Sequence, residues 1–186
     1  VIDLGTLAVD GTMALTTHNN GAATVVNDAG LNFRRSTVGG ALSATATAGD
    51  IIDTGRLTIT GTSTFTVADG QNIILDRSVN TFSDTVTFTP SAGTIASVEI
   101  NDSNAFDIKP LTTTGNLTVT AGGDITDSGT VTVGGNLAAT TDASDGVINL
   151  GTLAVDGTMA LTTNGTGAAT VVNDAAIAFA ASTVGG

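Results

Sequence analysis

The stretch Gly122-Gly123-Asp124-Ile125-Thr126-Asp127 sets two carboxylates among glycines, where side-chain and carbonyl oxygens could bracket a calcium ion. Calcium-binding β-rolls need such a motif at a strict nine-residue period, and here it does not recur at nine. Structural calcium is therefore the lesser reading, and no cofactor is expected. Two carboxylates flanking a groove could also cleave a glycosidic bond. Such a site holds sugar with aromatic and basic side chains, and this chain has no Trp, no Tyr and a single lysine, Lys109. No catalytic residue and no enzyme activity are expected. Aspartate is above all a turn residue that caps nearby amides, and 16 of the 17 acids are Asp, with Glu99 the exception.

His18 is the only histidine, and Arg34-Arg35 the only adjacent basic pair. Internal repetition, described below, sets Asn164 opposite His18 and Ala180-Ala181 opposite the arginines. His18 is thus expected to be an exposed turn residue. Arg34 and Arg35 are the candidate partner-binding residues, because they belong to one copy of the repeat only. Thr-x-Thr pairs such as Thr58/Thr60, Thr118/Thr120 and Thr130/Thr132 could form an ice-binding face, but the repeat lengths vary too much for a long matched array. A net charge of -12 argues against nucleic acid, whose phosphates need Lys and Arg. No apolar run is long enough for a transmembrane helix, so no membrane insertion is expected. The absence of Cys rules out disulfides and thiolate metal sites.

Aromatics make up only 3% of the residues while Gly numbers 24, yet the mean hydropathy is +0.33. Small and β-branched residues must then pack without large anchors, which a narrow core of stacked strands allows. The chain is self-similar over its ends. Val1–Gly40 aligns with Val147–Gly186 at an offset of 146 without gaps, with 31 of 40 positions identical. A shorter period lies inside this one. Leu117, Leu137 and Met159 open equivalent segments, 20 and 22 residues apart. Gly followed two residues later by an aliphatic recurs at Gly5, Gly55, Gly129 and Gly151. Leu117-Thr118-Val119-Thr120 alternates apolar and polar, the period of a strand.

Three short strands in units of about 20–30 residues fit a parallel β-helix, an all-β solenoid over residues 1–186. A longer, irregular coil or loop is expected within residues 76–110, where Pro90 and Pro110 lie. Gly5, Gly55, Gly129 and Gly151 are expected at corners, supplying positive φ. Asn116 and Asn136, twenty apart, are candidates for a stacked amide ladder.

The segments Asn80–Pro90 (NTFSDTVTFTP), Ile100–Ile108 (INDSNAFDI) and Thr112–Thr141 (TTTGNLTVTAGGDITDSGTVTVGGNLAATT) resemble the repeats of giant bacterial surface exoproteins of the filamentous-haemagglutinin type. That resemblance implies a secreted, right-handed parallel β-helix at the bacterial cell surface. The expected function is structural, a stiff segment of a fibre or adhesin shaft. Its partners would be neighbouring repeats or other copies end to end, and a host or bacterial surface. The alternative is an adhesive module that binds glycan or another fibre directly. The chain reads as a window on a longer shaft, expected to continue or to stack at both ends.

Overall fold

The computed structural model describes residues 1–186. All 22 elements are strands and there is no helix. In each coil the inward positions carry Leu, Ile, Val, Ala or Phe, and the outward ones mostly Thr, Ser or Asn. Leu117, Val119 and Ala121 are buried, for example, while Thr118 and Thr120 are partly exposed. β-branched side chains suit both sides of such a strand.

The strands form four parallel sheets. The first holds β1 (Ile2–Leu7), β2 (Ala23–Asn27), β5 (Leu42–Ala46), β8 (Ser63–Val67) and β11 (Val86–Pro90). A short one holds β4 (Ser36–Val38), β7 (Leu57–Ile59) and β10 (Thr81–Phe82). A third holds β13 (Phe106–Ile108), β14 (Leu111–Thr113), β16 (Ile125–Asp127), β17 (Val131–Val133) and β19 (Ile148–Val155), with β21 (Ala169–Asn173) on β19. The spine sheet runs through β3 (Leu31–Phe33), β6 (Ile51–Asp53), β9 (Ile73–Leu75), β12 (Val98–Asp102), β15 (Leu117–Ala121), β18 (Leu137–Ser144), β20 (Thr158–Asn164) and β22 (Ala178–Phe179). Its eight strands count the coils of a β-solenoid. One buried apolar cluster of 40 residues fills the interior from Met13 to Leu161.

Coil length follows from the spine register. Leu31 pairs Ile51, Ile51 pairs Ile73, and Ile73 pairs Val98, giving 20, 22 and 25 residues. Val98 pairs Leu117, Leu117 pairs Leu137, and Leu137 pairs Met159, giving 19, 20 and 22. Residues 76–110 add no antiparallel hairpin, since β10, β11 and β12 all pair parallel.

A change of face occurs inside that stretch. Below it, the five-residue strands β2, β5, β8 and β11 occupy the first sheet and the spine carries three-residue strands. From Val98 upward the long strands sit on the spine, and three-residue strands open the third sheet. The long-short-short order of each coil has slipped by one side, because β11 is followed directly by another long strand. The first and short sheets stop at β11 and β10, the third begins at β13 and β14, and only the spine crosses the seam. Pro90, which cannot donate to a ladder, ends the last strand of the first sheet. Near-identical sequences thus fold on two faces: Gly49-Asp50-Ile51-Ile52-Asp53-Thr54-Gly55 runs through spine strand β6, and Gly123-Asp124-Ile125-Thr126-Asp127-Ser128-Gly129 through β16 of the third sheet.

Phenylalanines gather just below the seam. Phe65 meets Phe82 edge-on at 6.1 Å and stacks on Phe88 at 6.2 Å. These rings fill the interior where the cross-section changes. Phe65 is fully buried, so Phe65→Ala is expected to cost about 3–5 kcal/mol, from lost transfer energy plus the cavity left behind. Urea denaturation of the 186-residue chain checks this, and an unchanged midpoint would contradict the packing described.

Candidate functional site

The aspartates are placed where the sequence alone could not put them, one coil below the amides they cap. Asp50 Oδ1 accepts the Asn72 N–H at 2.7 Å, and Asp69 Oδ1 that of Thr94 at 2.9 Å. Asp124 Oδ1 accepts the Val147 N–H at 2.8 Å, and Asp145 Oδ1 that of Thr166 at 2.7 Å. Asp127 takes three donors, the N–H groups of Gly151 and Thr152 and the Thr152 hydroxyl, each at 2.8 Å. The short carboxylate arm spans one coil rise, and charge-assisted acceptance makes these strong caps. Asp124 and Asp127, the calcium candidates, are both engaged in this way, and no three His, Asp or Glu side chains converge as metal ligands.

Asn116 and Asn136 do the same work. Asn116 Oδ1 accepts the Asn136 N–H at 2.9 Å, and Asn136 Oδ1 that of Thr158 at 2.8 Å. The column runs side chain to backbone rather than amide to amide, because the turn leaves a free N–H nearer than the next side chain.

The marker glycines differ from expectation. Positive φ occurs at Gly49, Gly70, Gly93 and Gly165, and at Asn19 and Asp145, but at none of Gly5, Gly55, Gly129 or Gly151. At Gly55 the requirement is space. A Cβ there would collide with the Arg35 backbone nitrogen and lie 2.9 Å from the Arg34 carbonyl carbon, in the coil below. At Gly129 it would come within 2.6 Å of the Pro110 ring, whereas Gly5 has open space and Gly151 only Asp127 Oδ1 at 3.9 Å. His18 lies exposed in the turn beside Asn19, whose φ of 54° matches the 66° of its counterpart Gly165.

Buried polar residues recur along the solenoid, and Asp53, Asn80 and Asp102 line successive coils up to the seam. Asn80 is fully buried; its Oδ1 accepts the Leu57 N–H at 2.8 Å and its Nδ2 donates to Asp53 Oδ2 at 2.6 Å. Asp102 accepts the N–H groups of Phe82 and Asn104, each at 3.1 Å. Burial pushes the Asp53 carboxyl up to about 6 against the Asn80 hydrogen bond, and the Asp76 charge adds to the rise. Burial also raises Asp102, opposed by its two backbone donors. Asn27 and Asn173 occupy matching places at the ends of β2 and β21, reaching down to the Val9 and Val155 N–H groups at 2.9 and 2.8 Å.

Two surface grooves open where the outer sheets break. One, of about 370 Å³, runs between Phe82–Val86 and Asn104–Lys109; the other, of about 610 Å³, runs between Thr87–Pro90 and Pro110–Thr112. Lys109 is tied to Asp107 at 2.6 Å in the first.

Arg34 and Arg35 lie exposed at the corner between β3 and β4. Arg56, between β6 and β7, and Arg77, between β9 and β10, occupy the same corner in the next two coils and are also exposed. Sequence reading singled out only the adjacent pair. The signal for the others was present, since the spacings of 21 and 21 between Arg35, Arg56 and Arg77 lie close to the steps of 21 to 23 that the flanking registers set at this corner.

Two stretches, residues 20–89 and 95–151, match the model of a family described as repeats of unknown function (DUF5649), together about two thirds of the chain. The break between them, residues 90–94, falls at the seam where the long strands change face. No curated protein and no solved structure matches the chain.

Two outcomes follow from this chemistry. A group whose folded pKa is raised favours folding while protonated, so the Asp53 contribution is greatest below 3.8 and is lost as pH climbs past about 6. Stability is expected to fall by about 1 kcal/mol between pH 5 and 7, and Asp53→Asn to flatten that slope; urea midpoints across the range report it. Gly55→Ala is expected to cost about 1–3 kcal/mol through overpacking. Gly5→Ala is expected to stay within about 0.5 kcal/mol, so equal losses at both glycines would refute the close-approach account.

Proposed function

We propose that this chain, which belongs to the DUF5649 repeat family, is a length of structural shaft from a bacterial surface fibre or adhesin. The observation that carries the reading is the uninterrupted parallel spine of eight strands in a chain whose first 40 residues recur 146 residues later. Each coil hydrogen-bonds only to its neighbours, so length scales with repeat number and bending must break the ladder on one side.

The two ends of the repeat illustrate how such a shaft extends. Phe33 is fully buried beneath the coil that holds β6, whereas its counterpart Phe179 in the last coil is 58% exposed. A further coil stacked there would cover Phe179 in the same way. The filamentous-haemagglutinin resemblance supports a secreted, surface setting, and the acidic exterior would keep a long rod soluble.

Chains of one, two and three super-repeats test this. A 146-residue super-repeat holds about seven coils, so each is expected to lengthen the particle by about 34 Å at constant width, seen by small-angle scattering or electron microscopy. Antibodies raised against the chain are expected to label intact cells. Particles that grow in width instead of length, or labelling only after lysis, would refute the shaft reading.

A further inference from the structure

We propose that the corner bearing Arg34, Arg35, Arg56 and Arg77 is a binding ridge for a linear carboxylated polysaccharide lying along the solenoid axis. Four of the five basic residues in the chain sit on this one corner. The spine register Leu31–Ile51–Ile73 and the neighbouring register Thr37–Thr58–Thr81 hold them in three successive coils, about 4.8 Å apart per coil. The only ion pair in the structure is Lys109 with Asp107, on a different corner. With 17 acids available, all four arginines remain unpaired, even with exposed Asp76 at the same corner.

The surface beside the ridge narrows the partner. Thr37, Thr58 and Thr81 point outward in register on the adjoining short sheet. Thr81 Oγ1 lies 3.5 Å from the Arg56 Nη2 donor and 2.9 Å from Ser103 Oγ, so a row of hydroxyls runs parallel to the row of guanidinium groups. The planar guanidinium fork matches a carboxylate in two hydrogen bonds. Hydroxyls both donate and accept, as the ring hydroxyls of a sugar require. One carboxylate per sugar ring meets one arginine corner per coil. An acidic peptide would be recognised through side-chain pockets or an open strand edge. β6, β7 and β9 are paired on both sides, the outer sides of β3 and β4 are met by the bridges Met13–Phe33 and Thr16–Thr37, and Asp102 and Asn104 cap Phe82 at the free side of β10. In the second copy of the repeat Ala180 and Ala181 replace Arg34 and Arg35, so the ridge is a local feature of the rod rather than a property of every coil.

The inference is independent of the shaft reading, since the ridge needs only three stacked coils. Its test is titration of the 186-residue chain with an oligogalacturonate of about ten sugars, followed by calorimetry at low and at physiological salt. Binding that weakens with salt is expected. The double variant Arg56→Ala/Arg77→Ala is expected to lose at least tenfold in affinity, and Lys109→Ala to change nothing. Arg56→Lys/Arg77→Lys, which keeps the charge and removes the fork, is expected to fall between. Thr58→Val is expected to weaken binding several-fold without altering its salt dependence. All the arginines are exposed, so urea midpoints should match the parent chain; if the alanine variant is destabilised, the lysine variant decides.

Absence of binding, or arginine variants that bind like the parent, would overturn the proposal. Poly-glutamate binding as tightly as the oligogalacturonate, with Thr58→Val silent, would reassign the ridge to acidic protein partners. Self-association of the parent that the arginine variants abolish, measured by sedimentation, would reassign it to contacts between copies.

Discussion

The distance from one coil to the next, about 4.8 Å, is set by the parallel backbone ladder, and every other contact in the molecule has to fit it. A carboxylate on one methylene spans that gap to a backbone N–H, as Asp50, Asp124 and Asp127 do. A longer acid would overshoot, and seven of the 16 aspartates cap a neighbouring coil in this way: Asp50, Asp53, Asp69, Asp102, Asp124, Asp127 and Asp145. Part of the acidity of the chain is therefore a consequence of how coils are joined at their corners. The same spacing excludes a Cβ wherever two backbones touch at a corner, as at Gly55 above Arg34 and Arg35.

The seam shows what happens when the coil pattern and the ladder disagree. The long-short-short order slips by one side near Val98, and only the spine sheet remains continuous. Backbone groups that lose a ladder partner are served by side chains. Asp102 and Asn104 reach back to Phe82, and Asn27 and Asn173 reach Val9 and Val155 at the equivalent places. The buried side chains of Asn80, Asp53 and Asp102 each find a partner, whereas Ser63 Oγ, beneath β11, has none, and the raised Asp53 carboxyl shows that burial still has a cost. The phenylalanines beside the seam fill the space that a changed cross-section leaves.

A repeating corner also turns sequence spacing into a surface. Residues one coil apart become neighbours along the axis, so a single outward position is displayed as a row. Thr37, Thr58 and Thr81 make one such row, and Arg35 and Arg56 another, which Arg77 extends from the longer corner of the next coil. Neither is a cluster in the sequence. Each exists because the register holds the coils in step.

The alternation of Leu117, Val119 and their threonine neighbours determined the strands, and the return of Val1–Gly40 at Val147 determined that the architecture is a repeat. Periodicity is a local property of the chain, so those features were legible without coordinates. The tertiary structure decided which face each strand occupies, because that depends on pairing across about 20 residues. It put the near-identical segments around Ile51 and Ile125 on different sheets, made Gly55 and Gly129 points of close approach while leaving Gly5 and Gly151 in open space, with positive φ at none of the four, and gathered Arg56 and Arg77 beside Arg35. Coil lengths of 19 to 25 residues blur the period enough that only the register, fixed by hydrogen bonds between coils, brings those residues into line.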